Sequence, residues 1–133
     1  MRYLAKRVEH ICDELYRLRI VQRIPLTDLI CKKGTYIRPE AADAATPPWT
    51  PFDSRTMHWY GPDEHYWFRT EFTVPKALNG KAMWLNVRTQ IEGDDGKNPQ
   101  FLLFVNNVPV QGMDMNHRDV LLSPKAISGE KLV

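Results

Sequence analysis

The chain has 133 residues, 43% of them hydrophobic and 26% charged, with a formal net charge of +2. That length suits one domain with a core of its own, and the proportions are those of a soluble globular protein rather than a disordered or fibrous one. No apolar run approaches the roughly 18 residues a membrane-spanning helix needs, and the basic N-terminus carries charges where a secretory signal has a continuous apolar centre.

Charge is divided unevenly. Residues 1–40 hold nine Lys/Arg against five Asp/Glu, and residues 41–133 hold nine against eleven. The basic residues of the first part are scattered over a helix and a loop, with acids between them. That pattern describes a solvated face, since a nucleic-acid footprint wants a denser basic cluster. Neither nucleic acid nor membrane is expected as a partner. Cys12 and Cys31 lack metal-site spacing and a third partner. They read as reduced structural thiols of a cytosolic, cytoplasmic protein, with a single disulfide as the alternative.

In chain order, Leu4, Val8, Ile11, Leu15 and Leu18 recur at spacings of four, three, four and three. This predicts one apolar stripe on an α-helix. Glu9, Asp13 and Glu14 beside Arg7, Arg17 and Arg19 suit its exposed face, and Pro25 limits it at the far end. The stripe needs a partner surface, either a sheet of this chain or another domain. Residues 34–56, with Pro39, Pro47, Pro48 and Pro51 around "EAADAATPP", read as an irregular surface connection.

From Thr56 onward the pattern is β. "TMHWY" ends at the turn pair Gly61-Pro62. "HYWFRTEFTV" places Tyr66, Phe68, Phe72 and Val74 on one side and His65, Trp67, Arg69 and Glu71 on the other, and ends at Pro75. Asn79-Gly80 marks a tight turn. "KAMWLNVRTQI" sets Met83, Leu85 and Val87 against Trp84, Asn86, Arg88 and Gln90. "EGDDGKNP" is a polar loop, and "QFLLFV" is apolar on both faces. Asn106-Asn107 reads as a two-residue hairpin turn before "VPVQGM", and "RDVLL" as one more strand. The expected fold is mainly β: an antiparallel sandwich or jelly roll with an N-terminal α-helix. Residues 1–33 form the helix and a connection, and residues 34–133 the sandwich. "SPKAISGEKLV" reads as a turn leading into a strand that is cut off, so the chain is expected to be a fragment of a longer protein or a truncated product.

Motifs of catalysis and cofactor binding are missing. There is no GxGxxG, GxxxxGK[ST], HExxH or GxSxG, and "GDDG" lacks the alternating acids and terminal Glu of a calcium loop. His58, His65 and His117 could share a metal only if the fold gathered them.

One ordered series does resemble a known family. It runs from Trp59 through "GPDEHYWFR" at 61–69, "FTVP" at 72–75 and Gly80-Lys81 to "NPQFLLFVN" at 98–106 and "QGMDMNHR" at 111–118. It resembles the N-terminal β-sandwich domain of α-mannosidases of glycoside hydrolase family 38, of the bacterial and vacuolar type. The resemblance covers roughly residues 50–130. The hairpin turn departs from it, with Asn106-Asn107 where Asn-Gly is usual, a change Asn tolerates because it can enter the left-handed region. The resemblance implies that zinc or another divalent metal, and the nucleophilic aspartate, belong to a separate catalytic domain. No cofactor and no catalytic residue is therefore assigned to this chain, which alone is expected to be inactive.

The residues that could matter are Trp59, Trp67, Arg69, Gln111, Asp114, Asn116, His117 and Arg118. Trp67 either covers a neighbouring strand or the N-terminal helix, or joins Trp59 and Trp84 in a surface that docks the catalytic domain or stacks on a sugar. The stretch from Asp114 to Arg118 is either a turn held by Asx-type bonds with an Asp114–Arg118 ion pair, or a loop at the rim of a neighbouring active site. The expected function is a non-catalytic accessory domain of an α-mannosidase that aids assembly and shapes the active-site entrance. The alternative is an independent carbohydrate-binding module of galactose-binding-like fold. A self-contained glycosidase would need two suitably spaced carboxyl groups. Expected partners are the catalytic domain, mannosides and a second copy of the chain.

Overall fold

The computed structural model describes residues 2–89 and 99–133. Nine β-strands in several antiparallel sheets follow a long N-terminal helix, so the described chain is mainly β, as expected. The helix α1 spans Arg2–Leu18. Residues 3–18 are all exposed. No helix among the described residues is long and apolar enough to cross a membrane.

The largest sheet has three strands in the order β2-β1-β3: β1 is Asp28–Lys33, β2 is Thr50–Asp53 and β3 is Tyr66–Arg69. The central strand thus lies inside the stretch expected to hold only the helix and a connection. Its sequence "DLICKK" hides a strand because Lys32 faces inward. Register places Phe68 beside Cys31 and Phe52 beside Leu29 on one face, and Trp67 beside Lys32 and Arg69 beside Ile30 on the other. Lys33 and Glu64, 2.8 Å apart, and a hydrogen bond from Gly34 N–H to the His65 carbonyl extend the β1–β3 pairing.

The segment expected to be irregular contains both β2 and a short helix, α2 (Pro39–Ala44). Proline near its start fits the fixed φ of a first helical turn. "TMHWY", expected to be β, forms no strand. "HYWFRTEFTV" is broken in two, because its halves pair with different partners. β3 pairs with β1, whereas β4 (Phe72–Thr73) pairs with β9 (Lys131–Leu132). At the break the Thr70 hydroxyl donates to the Asp28 carbonyl at 2.9 Å. Lys131 and Leu132 thus pair with β4.

β5 (Met83–Asn86) pairs with β8 (Asp119–Ser123), and β6 (Phe101–Val105) pairs with β7 (Val108–Met113). In β5 and beyond it, Met83, Leu85 and Val87 are the more buried set and Trp84, Asn86 and Arg88 the exposed one, as the alternation predicts. Gln90 and Ile91, and the "EGDDGKN" part of the expected polar loop, lie outside the described residues. The β6–β7 turn is the expected two-residue one. Asn106 and Asn107 have φ of 52° and 67°, the paired positive values that match strand twist. A bulge between Leu103 and Phe104 leaves Val110 without an opposite number.

Buried apolar side chains fall into two kinds. Val74, Met83 and Ala126 form an aliphatic cluster flanked by Phe72, Leu78, Leu122 and Leu132. On the first face of the three-stranded sheet, Phe52, Trp59, Phe68 and Phe101 meet edge to face with centroids 5.0–6.4 Å apart. This is the arrangement that ring quadrupoles favour.

Candidate functional site

The expected surface of three tryptophans is not formed. Trp59 is half-buried, packed on Phe52, Phe68 and Phe101. Trp67 belongs to the opposite face of the sheet from Phe68. There it is stacked on Phe104 at 5.7 Å and touched by the edge of Tyr36 at 6.4 Å. A tryptophan between His65 and Arg69 is thus half-buried against its own chain. Trp84 stands on another sheet and is 58% exposed.

Arg69 is also engaged within the fold. Its guanidinium contacts both carboxylate oxygens of Asp43, at 2.7 and 2.9 Å, and Asp43 also accepts the Trp49 indole N–H at 3.1 Å. The pair pins α2 over the sheet. Beneath α2 lies Lys32, 2% exposed. Its ammonium donates to the Ala42 carbonyl and, at 2.6 Å, to the Ala45 carbonyl, and sits 5.6 Å and 5.5 Å from the ring centroids of Tyr36 and Trp49. A lysine that bonds the last carbonyls of a helix neutralises their partial negative charge, and the rings add cation–π attraction. The site is an aromatic cage for a cation, filled by the protein's own lysine. Sequence reasoning missed it because a lysine in a short strand reads as solvent-facing. The only signal is its place between Ile30 and Lys33, at a position alternating with Cys31.

The loop from β7 to β8 holds the remaining candidates. Asp114 accepts the backbone N–H groups of Asn116 and His117 at 2.8 and 2.7 Å, an Asx-type turn. Those two N–H groups, His117 first, hold its carboxyl below the usual carboxylate range. Its side-chain neighbour is His117, with Nδ1 at 3.0 Å, not Arg118. Arg118 is exposed, and its carbonyl accepts the Val87 N–H at 3.0 Å, continuing the β5–β8 ladder. Gln111 is exposed on β7 opposite Leu103.

The loop leads onto a face that alternation along β5 reveals only in part. Asn86 pairs with Asp119 and Trp84 with Leu121, so these four side chains share the outward side of β5–β8. The Asn86 amide donates to Asp119 at 2.8 Å, and Arg88 Nε donates to Asn86 at 3.2 Å. An apolar half (Trp84, Leu121) therefore adjoins a polar half (Asn86, Arg88, Asp119), with the Asp114–His117 turn at the loop that enters β8. Among the described residues no group of three His, Cys, Asp or Glu is placed to hold a metal ion, and His58, His65 and His117 are not gathered. Cys12 and Cys31 are both free. No family model, no curated protein and no solved structure matches the chain.

Proposed function

We propose that the chain is the N-terminal accessory domain of a family-38-type α-mannosidase, of the β-sandwich or jelly-roll kind, which docks a catalytic domain and borders its active-site entrance in the cytoplasm. The observation that carries this reading beyond the sequence resemblance is the outward face of β5–β8. Trp84 and Leu121 are 58% and 41% exposed there, beside a hydrogen-bonded polar row. An exposed apolar centre with a polar border is the make-up of a docking surface. The independent carbohydrate-binding module is favoured less, because two of the three rings expected to stack on sugar, Trp59 and Trp67, are engaged within the fold, and of the three Trp84 alone stays open. On this reading the divalent metal and nucleophile lie in the catalytic domain, and this chain contributes no ligand to either.

The purified chain should not turn over an aryl α-mannoside, with zinc added or without, and mannose should leave its tryptophan fluorescence unchanged. Turnover above a denatured control would sink the reading, and a saturable fluorescence shift would favour the module. The reading frame past Val133 is the decisive observation: a family-38 catalytic domain supports the proposal, and its absence overturns it. In the complete enzyme, Asp114→Ala or His117→Ala should lower the catalytic rate more than the melting temperature, since sites are commonly carried on such loops. Loss of rate that merely tracks unfolding would make the turn structural.

A further inference from the structure

We propose that α1 binds a second copy of this chain, helix against helix, through the seam Leu4, Val8, Ile11, Leu15 and Leu18. The inference is independent of the mannosidase reading.

The spacing of the seam is the first argument. Alternation of four and three residues is the repeat of a two-helix coiled coil, which keeps apolar residues facing a partner helix. Leu4, Ile11 and Leu18 occupy one core position of the heptad, and Val8 and Leu15 the other. All five lie open, at 66%, 54%, 72%, 52% and 62% exposure respectively.

The charges beside the seam are self-complementary. The flanking positions are Ala5, Arg7, Cys12, Glu14 and Arg19. In a parallel pair Glu14 lies across from Arg19 of the second copy. In an antiparallel pair it lies across from Arg7 of the second copy. Neither arrangement sets like charges opposite each other. Glu14 now holds Arg17 at 3.2 Å, an exposed pair that costs little to exchange.

The area is sufficient for a specific contact. Ten aliphatic side chains, five from each helix, at roughly 100 Å² apiece bury on the order of 1,000 Å². That reaches the lower bound for a biological interface. An isolated helix of 17 residues is marginal in water, so pairing also supplies the stability that α1 lacks alone.

The test is the mass of the chain by sedimentation equilibrium from about 1 to 100 µM, with helix content read by circular dichroism. The expected result is a mass of two chains at the upper end, with helix content rising as the dimer forms. Ile11→Glu with Leu15→Glu should return the mass of one chain while the β-sheet signal is unchanged. Asp13→Ala, on the opposite side of the helix, should change nothing. Glu14→Arg should weaken the dimer about tenfold. A single-chain mass throughout, a mass above two chains, or association that survives the double substitution overturns the proposal.

Discussion

The two buried regions of this protein are built on different plans. The three-stranded sheet is packed with rings on one face and with an aromatic-lined lysine on the other, yet many of its large side chains remain half-exposed. The aliphatic cluster uses smaller residues at its centre and hides those: Val74 and Ala126 are each 1% exposed, with Phe72, Leu78, Leu122 and Leu132 half-buried around them. Rings bring area and directional edge-to-face contacts, but their bulk leaves rims in water. Small aliphatics close without gaps, but each brings little area. The ring-lined region should therefore depend on a few large contacts, and the aliphatic one on many small ones.

The sharpest way to break this contrast is to truncate one member of each region. Phe68→Ala removes a ring that touches Phe52, Trp59 and Tyr66 and should cost about 4 kcal/mol. Val74→Ala removes two methyl groups and should cost about 2 kcal/mol. Denaturant midpoints would show it, and equal losses would mean that burial rather than ring contact governs both regions.

Lys32 sharpens the contrast, since the ring-lined region alone encloses a cation. Lys32→Met keeps the length of the side chain but leaves the Ala42 and Ala45 carbonyls without their donor. It should cost about 2 kcal/mol, with Lys32→Ala costing more because it also opens a void. A methionine variant as stable as the parent would show that α2 is held by Arg69–Asp43 and packing alone.

The smallest effect is electrostatic and lies at the rim of the same region. Asp53, at the end of β2, is held at about 2 by the Arg55 side chain, by the Arg55 backbone N–H and by Thr56. A carboxyl lowered in the folded state contributes stability that is complete above its ordinary pKa near 4 and lost as pH falls through about 2. Asp53→Asn should flatten the acid limb of the stability profile between those values and leave it otherwise parallel. The pair is exposed, so the change is small.

The elements legible in the sequence are those whose pattern is local. α1 follows from its spacing, the β6–β7 hairpin from two adjacent asparagines, and β5 from alternation. The hidden elements owe their form to distant partners. β1 is a strand because β2 and β3 flank it, and its inward Lys32 is tolerated because α2 supplies carbonyls. "HYWFRTEFTV" looks continuous because its side chains do alternate, yet no local signal reveals that β1 claims one half and β9 the other. The candidate site was legible only in part. The turn at Asp114 was visible as a polar cluster, whereas the face of Trp84, Asn86, Arg88, Asp119 and Leu121 exists only once register sets two strands side by side.

The pairing of β4 with β9 has a consequence for how the chain assembles. It joins Phe72 to Leu132 and Thr73 to Lys131, two pairs of residues that close one of the longest loops in the described chain. Loop closure becomes dearer only slowly with length, but two pairs return little for it. The tip of the β6–β7 hairpin supplies the difference: Asn106 N–H donates to the Val133 carbonyl, and the Asn106 side chain accepts the Val133 N–H. A hairpin closed by two residues can form within microseconds. Once formed it offers Val133 a ready anchor, so a local piece of the fold is in place to capture a segment distant from β4 in sequence.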